Sequence, residues 1–378
     1  MATPPSLTTA PQSHIAQAVQ GSGGWIGFQR FMELALYAPG LGYYARGAPL
    51  FGALPAGVDG QGSDFVTAPE MTPYFGRALA VQVAQALQVT GTGEVWEFGA
   101  GSGALAAHLL QALGQQVASY TIVDLSGTLQ QRQRATLSAY GTRVRWVDAL
   151  PETMCGVVVG NEVLDAMPVK LLLRKGGIWH ERGVAVAPTG ALAWHDTATH
   201  LRPPLDIAGE HDYLTEVHPV AEGFVRMLAG RLVQGAAFFI DYGFPEREYY
   251  HTQRAMGTLM CHRAHRMDTD PLADVGCKDI TAHVNFTGLA LAAQEVVPDA
   301  GYAGAGAMGV LGYTSQARFL LNCGLSALLE RATVQERAMA QKLVMEHEMG
   351  ELFKVIGFFR GEPWEAVGFS QGDRTHTL

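Results

Sequence analysis

The chain has 378 residues, 48% apolar and 16% charged, enough to bury a large core and unlike a disordered or fibrous polymer. A formal net charge of −9 argues against a surface built to follow a phosphate backbone, so nucleic acid is not an expected partner. No apolar run approaches the roughly 18 residues that span a bilayer, and the N-terminus has neither secretory nor mitochondrial leader features. Four cysteines without a Cys-x-x-Cys pair fit reduced thiols in a bacterial-type cytoplasmic protein. Cys261, His262, His265 and Cys277 match no standard zinc spacing, and no metal is expected.

Residues 1–13 are rich in Pro, Ser and Thr and read as disordered. From Trp25 to Tyr37, Phe28, Phe31, Met32, Ala35 and Leu36 fall on one helical face, ended by Pro39, Gly40 and Gly42, with Tyr43 and Tyr44 in a tight turn. A Gly/Pro-rich loop over 47–63 leads into the run Ser63–Glu70. Thr72 can then cap a helix that starts at Pro73 and continues to about Leu87. Residues 14–90 thus read as an N-terminal helical extension.

An α/β core over 91–378 follows. In Glu94–His108 (EVWEFGAGSGALAAH) a β-prone run meets Gly99, Gly101 and Gly103 and passes into a helix. Strand, glycine turn and helix N-terminus open a nucleotide-binding fold, in which backbone approaches the ligand closely. The spacing suits S-adenosylmethionine (SAM), but Gly99, Gly101 and Ala104 also satisfy the dinucleotide form GxGxxA. Tyr120–Leu125, Arg143–Val147 and Gly156–Gly160 read as the next strands, with a helix capped by Ser126 running to about Ala139. Such β/α units imply a doubly wound α/β sheet with ligands at the carboxyl ends of its strands.

Residues 169–195 read as a β-hairpin around Gly176-Gly177, and 196–215 as a loop. A helix over Pro219–Leu232 precedes a fifth strand, Gly235–Asp241. The polar stretch 242–285 reads as a functional excursion. Phe286–Leu291 and Ser315–Leu329 read as helices around a loop at 300–312, Glu330 to about Lys354 as a long amphipathic helix, and 355–370 as closing strands. With no clean linker, one elaborated domain is expected, with acceptor-side insertions at about 169–215 and 242–330.

Asp124 lies 25 residues after Gly99, where a carboxylate can accept both hydroxyls of an adenosine ribose, in SAM or in NAD. Glu97 is a carboxylate in an apolar strand and is expected to meet backbone N–H groups or a ligand's ammonium. Gly160–Pro168 (GNEVLDAMP) sets Asn161, Glu162 and Asp165 after a wholly apolar strand. An amide and two carboxylates there can orient a nucleophilic nitrogen and hold a guanidinium by paired hydrogen bonds, with no metal needed. Asp241 and Tyr242, with His265, Asp279, Thr281 and His283 further on, could line the acceptor side.

These motifs resemble the MidA-like methyltransferases, whose mitochondrial members assist respiratory complex I assembly. The match runs in order through Gly42–Tyr44, Ser63–Glu70, Glu97–Gly103, Asn161–Val169, Asp241–Gly243, Asp279–Phe286 and Met349–Lys354. The resemblance implies a Rossmann-like class I SAM-dependent methyltransferase sheet with an N-terminal helical extension and inserted and C-terminal α+β elements. It also implies a protein acceptor methylated on arginine, since the mitochondrial member makes symmetric dimethylarginine on a complex I subunit. A bacterial relative would modify that type of subunit or another protein.

On this reading SAM is the cofactor, bound by Glu97, Gly99, Gly101, Gly103 and Asp124, with Asp64 and Thr67 from the Ser63–Glu70 motif. Asn161, Glu162 and Asp165 are the expected catalytic residues, and Asp241, Tyr242, His265 and His283 the acceptor-binding ones. Asp124 stands where the family more often has Glu, Ala100 where proline is common, and Ser63 where glycine is common. The rival readings are a SAM-binding assembly factor that keeps the fold for recognition and methylates slowly or not at all, and an NAD(P)-dependent oxidoreductase. The oligomeric state is left open, a homodimer being compatible with it.

Overall fold

Apolar runs with no polar face make strands that are stable only inside a covered sheet. The computed structural model of the protein describes residues 9–46, 67–124, 126–263, 266–296 and 306–378. It divides into two compact units, one of Met1–Leu50, Ala166–Val220 and Tyr250–Ala282, the other of Phe51–Asp165, Ala221–Tyr249 and His283–Leu378.

In the larger unit the strands are β1 (Glu94–Phe98), β2 (Ser119–Val123), β3 (Val144–Val147), β4 (Met154–Asn161), β5 (Leu232–Phe244), β6 (Gly309–Ser315) and β7 (Phe353–Arg360). Their order across the sheet is β3-β2-β1-β4-β5-β7-β6. The first five run parallel, β7 is antiparallel to both neighbours, and Val284–Asn285 adds a short parallel piece at the end of β5. This is a mixed α/β sheet of the kind the resemblance implies. The strand order reverses between β1 and β4, which opens a crevice at their carboxyl ends.

Helix α1 (Pro73–Thr90) starts as its sequence requires: Thr72 Oγ1 accepts the Tyr74 N–H at 3.4 Å, and Pro73 occupies the first turn. Helices α2 (Ala104–Leu113) and α3 (Gly127–Thr136) follow β1 and β2, α3 being capped by Ser126. Leu79, Val83, Leu105, Leu109, Val157, Phe238 and Val355 belong to one buried core.

The smaller unit holds a five-stranded sheet. The hairpin Lys170–Lys175/Ile178–Val186 turns at Gly176-Gly177 as its sequence implies, and Leu192–Ala198, Tyr213–Val217 and Trp25–Gly27 add to it. The region 196–215 therefore carries strand at both ends. Within 242–285, Met260–Arg263, Arg266–Asp268 and Asp279–Thr281 form a three-stranded sheet.

Four expectations are corrected. Trp25–Gly27 is a strand paired with Gly183–Ala185, and the helix begins at Phe28; three extended residues leave no mark on a helical periodicity. Ala10–Ser13, read as disordered, begin the helix Ala10–Gly21. The long helix over 330–354 is only Val334–Lys342, with Ala340 its one buried residue. The run FKVIGFFR instead forms β7, whose β-branched and aromatic side chains fit the buried sheet between β5 and β6. Ser315–Leu329 likewise divides, since β6 ends at Ser315, which caps the helix Gln316–Asn322. Among the described residues no helix is long and apolar enough to cross a membrane.

Phe238 is fully buried in β5 at the centre of the sheet. Phe238→Ala is expected to cost about 3–5 kcal/mol, whereas Val334→Ala, at an 85% exposed position, should stay within about 0.5 kcal/mol. Urea midpoints for the two variants check the contrast.

Candidate active site at the strand ends

The glycine turn leaves β1 with Gly99, Gly101 and Gly103 at φ of 66°, 53° and 84°, a left-handed path that side chains resist. Space matters as much as φ. A Cβ on Gly99 would lie 3.0 Å from Val163 Cγ2, and one on Gly160 would lie 2.9 Å from Val163 Cγ1. Val163 thus wedges between the glycine turn and the end of β4, bringing the Asn161–Asp165 loop onto the turn.

On the turn side, Glu97 is buried at 2% exposure. The partner of its Oε2 is the Tyr120 hydroxyl at 2.6 Å rather than a backbone amide. Burial pushes its pKa up to about 7, with Asp124 adding repulsion and the Tyr120 bond opposing. Asp124 lies at the end of β2. Its Oδ1 accepts the Ser126 N–H at 2.8 Å and its Oδ2 the Gln133 amide at 2.7 Å. Burial raises its pKa while those two bonds lower it. The Ser102 hydroxyl of the turn donates to Glu70. Thr67 precedes the short helix Ala68–Met71, and its carbonyl accepts the N–H of Glu70 and Met71.

On the β4 side, Asn161 Nδ2 donates to Glu162 Oε1 at 3.0 Å, while Asn161 Oδ1 is buried without a partner among the described residues. Glu162 adopts φ 52°, a strained conformation for a side-chain-bearing residue and of the kind that gathers at functional sites. It is held by donating its N–H to the Ile240 carbonyl at 2.9 Å. Asp165 accepts from the Tyr242 hydroxyl. The Tyr242 ring is edge-on to His283 and Phe353, at centroid distances of 5.2 and 5.3 Å.

Asp241 is placed differently from the sequence expectation. It is fully buried beneath the loop, its Oδ2 accepting the N–H of Leu164 and Asp165 and its Oδ1 that of Tyr242. Burial, then repulsion from Asp165 and Glu162, raises its pKa well above the carboxylate range. Its position is that of a support for the loop. Asp279 and Thr281 lie in the smaller unit, where Asp279 accepts from the Tyr44 hydroxyl at 2.9 Å. Asp64 and His265 lie outside the described residues.

Gln133, Val163, Tyr120 and Glu70 escape the sequence reading. Gln133 sits in an otherwise polar helix and Val163 between two carboxylates, and neither position carries a local signal.

The residues present fit an adenosyl sulfonium compound. The turn offers close backbone, Asp124 keeps lone pairs beyond its two bonds, and the orphaned Asn161 Oδ1 lies one strand away. A family model described as S-adenosyl-L-methionine-dependent methyltransferase matches residues 78–301. A superfamily member from Burkholderia thailandensis, crystallised with S-adenosyl-homocysteine, is 48% identical, with a TM-score of 0.89 over 100% of this chain and 99% of its own. A native crystal structure from the same organism is 46% identical, with a TM-score of 0.85 and the same coverage. The Caenorhabditis elegans homologue of the mitochondrial protein arginine methyltransferase NDUFAF7 is 25% identical over 98% of this chain and 93% of its own. For the Danio rerio protein the identity is 25%, over 86% and 79%.

Glu97 keeps its proton to about pH 7 in the fold but releases it near its ordinary 4.5 when unfolded, so rising pH across that window favours unfolding. Relative to Glu97→Gln, which still accepts from Tyr120, the unliganded wild type should lose roughly 3 kcal/mol between those pH values. Urea titrations at stepped pH measure it, and a constant difference between the two proteins would contradict the raised pKa.

Proposed function

The chain belongs to the family of S-adenosyl-L-methionine-dependent methyltransferases, and from that premise we propose that it methylates arginine side chains of a protein acceptor. Its cofactor is SAM, which closes the dinucleotide alternative. The observation that carries the acceptor reading is the buried Asn161 Oδ1, an acceptor without a donor among the described residues, beside the Glu162 carboxylate on the loop that Val163 seats over the glycine turn. Repulsion from Asp165 and Glu162 contributes to the raised pKa of buried Asp241, so the loop favours a cation beside those two carboxylates. A guanidinium supplies both the charge and several N–H donors in one plane. The arginine methyltransferase names of the relatives at 25% identity support the same choice.

Bound at the glycine turn and Asp124, the cofactor supplies an electrophilic methyl on a sulfonium sulfur. The chain's own residues then have three tasks. Asn161 Oδ1 accepts one guanidinium N–H and so turns the attacking nitrogen. Glu162, hydrogen-bonded to Asn161 Nδ2, neutralises the cation. Asp165, held by Tyr242, fixes the far side of the plane. Because a guanidinium sheds its proton only as the new bond forms, a carboxylate of ordinary strength suffices to receive it.

The test uses methyl-labelled SAM and the protein fraction of a strain lacking this gene, with mass spectrometry locating the label. Label on arginine is expected, and Asn161→Ala should lower the rate about 100-fold while the affinity for S-adenosyl-homocysteine changes less than about threefold. Label on lysine or a carboxylate, or an undiminished rate in the variant, would overturn the arginine reading.

A further inference from the structure

Helix α3 has the sequence GTLQQRQRAT, polar along its length, yet Gln133 is completely buried. A buried primary amide must satisfy two N–H donors and a carbonyl, and Gln133 does. Its Oε1 accepts from Trp146 Nε1 at 2.9 Å. Its Nε2 donates to the Gly101 carbonyl at 3.1 Å and to Asp124 Oδ2 at 2.7 Å. An indole nitrogen can only donate, so Trp146 settles which end of the amide faces it, and the NH2 is turned to Gly101 and Asp124. One side chain from a third element therefore ties the turn after β1 to the acid after β2. Asp124 has about four lone-pair positions; the Ser126 N–H and Gln133 occupy two of them.

We propose that Gln133 is a positioning residue for the cofactor, setting the separation of the glycine turn from Asp124 and leaving that carboxylate's remaining lone pairs for the two hydroxyls of a ribose. The proposal rests on Asp124 being the ribose carboxylate and is independent of which acceptor is methylated. Burial alone would drive Asp124 toward its neutral form, and the Gln133 bond acts against this. The other charged groups bearing on the pair are Glu97, which repels Asp124, and Arg134, whose guanidinium lies 4.1 Å from the Trp146 ring centroid.

Calorimetric titration with S-adenosyl-homocysteine between about pH 5.5 and 8 separates positioning from packing. Circular dichroism first establishes that each variant is folded. Gln133→Leu should weaken binding about tenfold or more at every pH, the loss expected for a hydrogen bond to a charged group. Gln133→Glu should be weaker still at pH 8, where two carboxylates face each other. It should recover several-fold on acidification, when the new carboxyl takes a proton and can donate it to Asp124. Trp146→Phe, which frees the amide to flip, should cost several-fold with no such recovery.

Binding by Gln133→Leu within about twofold of wild type, with Asp124→Ala clearly weakened, would overturn the role of Gln133 and leave Asp124 standing. Unchanged binding by Asp124→Ala would overturn the ribose reading itself. A pH-independent loss in Gln133→Glu would reduce the amide to packing. If both Gln133 variants fail to fold, Trp146→Phe decides, and wild-type affinity there overturns the proposal.

Discussion

The Asp241 carboxylate, fully buried at the carboxyl end of β5, takes three backbone N–H groups, and the path of the Asn161–Asp165 loop follows from them. An isolated carboxylate in such a place would cost several kcal/mol, so the chain must bring it donors. The donors come from Leu164, Asp165 and Tyr242, while the Ile240 carbonyl just before takes the Glu162 N–H. The loop after β4 is thereby tied to the end of β5. That attachment explains how Glu162 can persist at φ 52°, a conformation costing roughly 1–3 kcal/mol when nothing enforces it.

The second constraint is distance. Methyl transfer needs the cofactor and the group it methylates within one reacting length, and on the proposed reading the glycine turn and the Asn161–Asp165 loop that hold them grow from different strands. β1 and β4 are adjacent and in register, with Phe98 opposite Gly160, so the two turns leave the sheet at the same level. Val163 then fills the gap, and the missing side chains at Gly99 and Gly160 make room for it. The glycines therefore have two roles, one toward the ligand and one toward the neighbouring loop. Any shift of the turn is passed to Asn161 and Glu162 through a single close-packed valine.

Much of this was legible in the residues alone, because it is written locally. The Thr72 and Ser126 caps, the apolar β4, the glycine turn and the dense polar loop after Gly160 each announce themselves within a few positions. What was not legible is set by partners distant in the chain. Gln133 looks like a solvated helix residue until Trp146 and Asp124 are seen around it. Glu97 signals that it needs a donor, but nothing nearby names Tyr120 on the next strand. Asp241 reads as a carboxylate presented at a strand end, whereas three amides have already claimed it. The failed helix over 330–354 has the same cause. Its periodicity was a fair local signal, but the sheet offered Phe353–Arg360 two strands to pair with, and burial between them outweighed propensity.

The electrostatics of the loop bear on the kind of molecule it can receive. Burial, then repulsion from Asp165 and Glu162, raises the Asp241 pKa, and the bonds it accepts from Leu164 and Asp165 act against this. A cation entering beside Glu162 and Asp165 would lower the energy of those two carboxylates, and that gain becomes part of the binding energy. An anionic or neutral acceptor would gain nothing comparable from the two carboxylates. The half-buried rings of Tyr242, His283 and Phe353 add faces that a planar cation can stack on. Lys354, in register with Asp241 on the neighbouring strand, donates to the Glu351 carbonyl. Under the arginine reading the carboxylates thus select charge, the amide selects geometry, and the glycine turn sets the distance over which both must act.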